Sequence, residues 1–310
     1  MSLRKLVYGA AAILTFAAGS PALAAGSCLS LPTAKIGMQI YSVRSAVRPP
    51  PPPGTPPNAP RPAFEAAKLD AVLTQLHQIG WRNIENVNGD WGLGAPAFKA
   101  LLDKNQIKVV ASHDALNDEG WAAALDRAVL LGQALIGSGN YGAPGLDSLA
   151  QVLATAERLN KLGEQAAAKG LKFYVHNHWR EFNSVYPIDL DGDGRTEPVS
   201  AWEIIAAKTN PRFVNFEVDV HWARVAYGLD NHDQVLKFLE KYRSRVVLLH
   251  IKDTAPDGAY TDLGRGTTDW AKMLTAAGPQ IHYYLWEHDN PTDPMASAKI
   301  SYEFMTCTGS

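Results

Sequence analysis

A closed (β/α)8 barrel in a single domain is the fold that this 310-residue sequence predicts. Two observations carry it. Short apolar runs rich in β-branched and aromatic residues alternate eight times with helix-periodic segments from residue 36 onward, and strands alternating with helices imply a parallel sheet. Residues of metal-ligand type then stand at the ends of the last four apolar runs: Tyr174-Val175-His176-Asn177-His178, Phe216-Glu217-Val218-Asp219, Leu248-Leu249-His250-Ile251-Lys252-Asp253 and Tyr284-Leu285-Trp286-Glu287-His288-Asp289. A barrel gathers its strand C-termini on one working face, where those residues would meet.

The elements follow in order. Residues 36–43 read as the first strand and 64–79 as the first helix. Residues 83–87 are the second strand, and Pro96 suits the first position of a helix running through Leu102. Residues 107–112 make a third strand that ends at His113, residues 121–131 a helix, and residues 134–137 a short fourth strand. The apolar-periodic run 146–168 closes on Gly170, a good C-terminal stop. The four ligand-bearing strands come next, separated by helices near residues 201–207, 234–242 and 270–277, with a last helix near 296–304.

Two insertions follow strand ends and so fall on the working face. Residues 48–62 hold a run of prolines that favours extended polyproline geometry, read as a solvated excursion with a part in a lid as the alternative. Asp189, Asp191 and Asp193 alternate with other residues like the first half of a calcium loop. Ser200 stands where the closing glutamate belongs, so a tight acidic turn is expected, with a Ca²⁺ site as the alternative.

With 46% hydrophobic and 19% charged residues, the chain can bury a large core. A formal net charge of -2 and no basic stripe argue against nucleic acid as a partner. Residues 1–24 are expected to be a secretory signal peptide: Arg4 and Lys5 precede an apolar run, and Pro21-Ala22-Leu23-Ala24-Ala25 offers a small-residue cleavage site after Ala24. The run is shorter than the roughly 20 apolar residues that span a membrane. Ala25-Gly26-Ser27 lacks the large aliphatic residue expected before a lipidated cysteine at Cys28. Residues 25–310 are therefore expected as a barrel in the periplasm or outside the cell, without stable membrane insertion. Cys28 and Cys307, the only two cysteines, are candidate disulfide partners in such a compartment.

Each ligand-bearing segment repeats a polar residue two positions on: His176 and His178, Asp219 and His221, His250 and Lys252, Glu287 and Asp289. Side chains alternate faces along a strand, so a tier of ligands would carry a second tier of acid, base or substrate-binding groups above it. An imidazole-carboxylate set without cysteine suits Mn²⁺, Zn²⁺ or Fe²⁺, and burying several such groups at matched depth costs free energy unless something binds them. Lys252 could move a proton, or pair with Asp253 or Glu217. Glu85 and His113 end their strands and either meet substrate hydroxyls or form structural hydrogen bonds. Tyr41, Trp179 and Trp222 offer rings for a sugar to stack on, or simply pack at the rim. Arg265 could meet an anionic group.

Together, MQIYSVR at the first strand, VHNHWREF at the fifth, FEVDVHWA at the sixth, LLHIKD at the seventh, a DLGRG turn and WEHD at the eighth resemble the xylose-isomerase-like TIM-barrel family, closest to its sugar phosphate isomerase/epimerase branch. The resemblance covers nearly the whole mature chain. It implies one divalent metal ion, typically Mn²⁺ with Zn²⁺, Co²⁺ or Fe²⁺ as alternatives, held by position through His176, Asp219, His250 and Glu287. Many members carry Glu-Asn-His at the fifth strand where this chain has His176-Asn177-His178, so of the two ligand glutamates that move protons in the family's epimerases only Glu287 remains. A His-rich fifth strand also resembles the inosose dehydratase branch, which implies proton removal beside a ketone followed by loss of a β-oxygen. The expected activity is that of a lyase, hydratase, isomerase or epimerase on a keto-sugar or oxidised glycoside. Glu287 would be the base and His178 or Lys252 the proton donor, with Glu85, His113, His221, Trp222 and Arg265 around a small carbohydrate. A non-catalytic periplasmic carbohydrate-binding barrel is the alternative. An endonuclease-IV-like enzyme would need more histidines for a trinuclear zinc cluster and a basic groove.

Overall fold

Eight parallel strands wrap a lumen in the computed structural model, which describes residues 28–48, 64–87 and 89–309. The expected signal peptide and nearly all of the proline-rich insertion lie outside the described residues. The strands are β1 (Ile36–Gln39), β2 (Asn83–Asn86), β3 (Lys108–Ser112), β4 (Leu135–Ser138), β5 (Lys172–His176), β6 (Val214–Asp219), β7 (Val246–Ile251) and β8 (Tyr283–Trp286). Their order is β3-β2-β1-β8-β7-β6-β5-β4. A single parallel bridge from His113 to Gly137 joins the end of β3 to β4 and completes the ring. This is the expected (β/α)8 barrel.

Polar side chains cap the N-termini of several helices. Ser148 accepts the Gln151 N–H and Asn117 that of Gly120, which satisfies backbone donors that a helix leaves open. Between strands and helices lies one continuous apolar layer that includes Met38, Ile84, Trp121, Phe173, Phe216 and Trp286. Inside the lumen Ala111, Leu135, Tyr174, Leu248 and Leu285 form a separate small cluster. Ala111, Tyr174, Leu248 and Leu285 each sit two residues before a site residue, His113, His176, His250 and Glu287, on the same face by alternation. Gly137 is needed there: a Cβ on it would fall 2.4 Å from Tyr174 O and 2.8 Å from the Tyr174 ring.

Three differences from expectation bear on the site. The first strand stops at Gln39, because the Gln39 side chain accepts the Tyr41 N–H and turns the chain into a 3-10 segment, Ile40–Val43. A helix, Val220–Tyr227, begins directly at the end of β6, with Asp219 as its cap through the Trp222 N–H. The residues after β5 carry a hairpin, Val185–Ile188 with Glu197–Ser200, whose tip is the acidic turn: Asp189 accepts the N–H groups of Gly192 and Gly194.

Cys28 and Cys307 form a disulfide across a sequence separation of 279, and the Leu29 and Leu31 N–H groups donate to the carbonyls of Phe304 and Met305 beside it. Among the described residues no helix is long and apolar enough to cross a membrane.

Candidate metal centre

The strand C-termini stack polar groups in three levels. At the floor, Glu85 on β2 and Glu217 on β6 are fully buried. Gln39 donates to Glu85 Oε2 at 2.6 Å, and the Tyr174 hydroxyl donates to Glu85 Oε1. Glu217 Oε2 lies 2.8 Å from His113 Nε2 and 3.0 Å from His176 Nδ1. His250 Nε2 lies 2.8 Å from Glu85 Oε2.

The middle level is the four-residue set expected from the sequence. His176 Nε2 and His250 Nδ1 each stand 3.9 Å from Asp219 Oδ2, and His250 Nδ1 is 3.0 Å from Glu287 Oε2. One ligand atom from each of His176, Asp219, His250 and Glu287 lies within 4.8 Å of all the others. Asp219 Oδ2 is buried and accepts no hydrogen bond. Its nearest cation is Lys252 Nζ at 3.3 Å, and a buried carboxylate oxygen without a hydrogen bond is costly. Two imidazole nitrogens beyond hydrogen-bond range and aimed at that oxygen suit a divalent ion, whose bonds to such donors run about 2.0–2.2 Å. The residues fit the ion that the sequence implies.

Above them is the rim. Lys252 Nζ lies 3.0 Å from Glu287 Oε2, 2.8 Å from Asp289 Oδ1 and 3.3 Å from Asp219 Oδ2, and 5.2 Å from the Trp222 ring centre. These carboxylates are its partners, not Asp253 or Glu217. Tyr41, His113, His178, Lys252, Glu287 and Asp289 line a cavity of about 490 Å³ that opens on this level. The guanidinium of Arg44 covers one face of Tyr41 at 3.7 Å.

Charge states follow from burial and neighbours. Burial raises Asp219 to about 7 against the pull of Lys252. Burial would also raise Glu287, but Lys252 and His250 outweigh it and hold its carboxyl well below the usual range. The reverse holds for Lys252: burial is outweighed by Asp219, Glu287 and Asp289, and the ammonium keeps its proton far above neutral pH. Burial and then Lys252 lower His178, which is neutral at pH 7. His113, against its own burial, is raised to about 10 by Glu85 and Glu217.

Three expected substrate contacts are placed elsewhere. Glu85 is at the floor, bonded to protein groups on every side. His221 does not continue the alternation of β6, because the chain turns helical at Val220; it is buried with Nδ1 2.8 Å from Thr254 Oγ1, and burial followed by Lys252 lowers it to about 3. Arg265 pairs with Asp262 at 3.2 Å, its side chain 59% exposed and away from the cavity. The DLGRG turn serves Asp253 instead, whose Oδ2 accepts the N–H groups of Gly264 and Gly266 at 3.1 Å each. A Cβ on Gly266 would fall 2.2 Å from Asp253 Oδ1. His113 and Trp222 do stand at the cavity and its rim. Of His176, at the end of β5, and His178, just past it, His176 belongs to the ligand level and His178 to the cavity wall alone.

Sequence reasoning passed over Gln39 and Tyr174, and it read Glu217 as a possible partner of Lys252, not as a neighbour of the ligand imidazoles. Glu217 and Tyr174 lie two positions before Asp219 and His176, so the alternation that marks the rim also marks the floor when followed backward along the strand.

The family described as "Xylose isomerase-like TIM barrel" matches residues 73–304 of the chain. No curated protein matches it in sequence. A sugar phosphate isomerase/epimerase from Parabacteroides distasonis ATCC 8503 has a similar structure, with a TM-score of 0.67 and 20% identity over 90% of this chain and 96% of its own. A D-allulose 3-epimerase from Methylomonas sp. gives 0.60 at 16% identity, over 92% and 99%. A xylose isomerase-like TIM barrel protein from Mycobacterium smegmatis, solved in complex with magnesium, gives 0.59 at 16% identity, over 89% and 97%. At such identities the likeness establishes a shared fold.

Proposed function

The chain belongs to the xylose isomerase-like TIM-barrel family, and from that premise we propose that it is a divalent-metal-dependent enzyme that removes a proton beside the ketone of a keto-sugar or oxidised glycoside, as a lyase or dehydratase in preference to an epimerase. The observation that carries this reading is the convergence of one ligand atom from each of His176, Asp219, His250 and Glu287 within 4.8 Å at the base of the cavity, with Asp219 Oδ2 buried and accepting no hydrogen bond. His176, Asp219, His250 and Glu287 would hold the ion. When bound, it supplies Lewis-acid stabilisation of negative charge on a substrate oxygen.

The chain's own groups divide the remaining work. Glu287 is ionised at neutral pH and faces the cavity, so its carboxylate can accept the proton from carbon. Lys252 keeps its proton and stands 3.0 Å from Glu287, whereas His178 is neutral and has none to spare as an imidazolium. Lys252 is therefore the donor to the departing oxygen: the C–H bond breaks toward Glu287, the new C=C takes its electron pair, and the C–O bond breaks as oxygen takes a proton from Lys252. Inversion needs proton carriers on opposite faces of the substrate; here the acid sits beside the base, which favours elimination. Tyr41 and Trp222 give the sugar ring faces to stack on. Sugar-modifying relatives on the same fold support a small carbohydrate as substrate. Export to the periplasm or beyond is part of the proposal, and the disulfide supports it.

The test is incubation of the Mn²⁺-loaded protein in D₂O with 3-keto-glycosides and free ketoses, read by mass spectrometry. Loss of water or of an aglycone, with deuterium at the α-carbon, is the expected result. Deuterium incorporation without elimination would make the protein an isomerase or epimerase. No change with any of them would leave a carbohydrate-binding barrel.

A further inference from the structure

The two floor carboxylates contact the ligand imidazoles from behind, and from opposite ends of the ring. His176 turns Nδ1 to Glu217 and Nε2 to Asp219, at 3.0 Å and 3.9 Å. His250 does the reverse: Nε2 faces Glu85 Oε2 at 2.8 Å, with Glu217 Oε1 at 3.1 Å, while Nδ1 faces Asp219 and Glu287. A neutral imidazole has one N–H to donate and one lone pair to offer a metal, and its outer partner decides which nitrogen is which.

Resting on the metal reading above, we propose that Glu217 and Glu85 are positioning residues that lock His176 and His250 as opposite tautomers, His176 donating through Nδ1 and His250 through Nε2. Each carboxylate is itself fixed. Glu85 accepts from Gln39 and Tyr174 as well, and Glu217 from His113, so neither can swing away from its imidazole. Both are fully buried. The arrangement also accounts for a ligand set with two imidazoles: the anionic charge that a glutamate at position 176 would bring stands one level lower, on Glu217, where it strengthens the imidazole as a ligand without occupying a ligand position.

The experiment compares wild type with Glu217→Gln and Glu85→Gln, using Mn²⁺ and Zn²⁺ themselves as probes in chelator-competition titrations. The expected result is one ion per wild-type chain and, in each variant, the same stoichiometry with affinity about 10- to 100-fold weaker and an unchanged circular dichroism spectrum. Wild-type affinity in both variants overturns the positioning role while leaving the metal reading intact. No ion in wild type overturns both. Two ions in wild type and one in Glu217→Gln would make Glu217 a ligand of a second site that includes His113, and overturns the proposal. Should either variant fail to fold, long-range ¹H–¹⁵N spectra of histidine-labelled, Zn²⁺-loaded wild type decide it: one imidazole bound through Nε2 and one through Nδ1 supports the assignment, and two bound through the same nitrogen rejects it.

Discussion

The two halves of the barrel carry equal numbers of strands and unequal chemistry. β1 to β4 bring Gln39, Glu85 and His113, and every one of these side chains contacts another protein group. β5 to β8 and the residues just past them bring His176, Asp219, His250 and Glu287, whose ligand atoms converge within 4.8 Å, and Lys252, which lines the cavity with His176 and Glu287. The seam of the ring also lies in the first half, where β3 meets β4 through a single bridge. The second half holds its strands in a register that sets ligand positions, and the first half acts as a hydrogen-bonded backing for it. A reactive site on this scaffold needs exact alignment in only half of the ring.

Substitutions in the second half should remove binding or chemistry and leave the fold, and His250→Ala is the most severe. It should bind no divalent ion and lose at least ~10³-fold in turnover, with a melting temperature close to that of the metal-free wild type; retention of a stoichiometric ion would break the assignment. Glu287→Gln should keep an ion at reduced affinity and lose about 10²- to 10⁴-fold in turnover, as expected of a general base, together with α-proton exchange. If exchange continues at the wild-type rate in the loaded variant, Glu287 is a ligand only, and the base is His178. In the first half the expected effect moves from chemistry to stability. Gly137→Ala should destabilise by about 1–3 kcal/mol, as overpacking does, measured by urea unfolding, while still binding the ion. An unaffected stability would mean that Tyr174 can shift. Arg265→Ala is the smallest, within about 0.5 kcal/mol in stability and with unchanged kcat/KM, because the side chain is outside both halves of the site; a clear loss of kcat/KM would return Arg265 to the substrate.

All eight strands and the meeting of His176, Asp219, His250 and Glu287 were legible because buried apolar runs with polar ends are rare except where a strand meets a working face. What was missed has local causes. His221 was assigned by continuing the alternation of β6, but the Asp219 side chain that accepts the Trp222 N–H starts a helix, and alternation ends where the strand ends. Glu217 stood in plain view two residues before a ligand, and only the forward direction was read for partners. Gln39 lay inside an apolar run, IGMQIYSV, whose strand pattern runs past the point where a side-chain hydrogen bond bends the chain. Arg265 drew attention as the charged member of a glycine turn, whereas the constrained members are Gly264 and Gly266, held by a carboxylate eleven and thirteen residues upstream.

The Cys28–Cys307 bond makes the described protein a covalent ring. A protease that cuts any one peptide bond between those residues does not divide the molecule; it moves the chain ends to a new place and leaves the old ends joined. Surface loops such as the hairpin after β5 can therefore be nicked with the barrel still in one piece, and only a second cut, or a reductant, releases a fragment. Resistance to the first cut would come from topology as well as from the burial of the backbone.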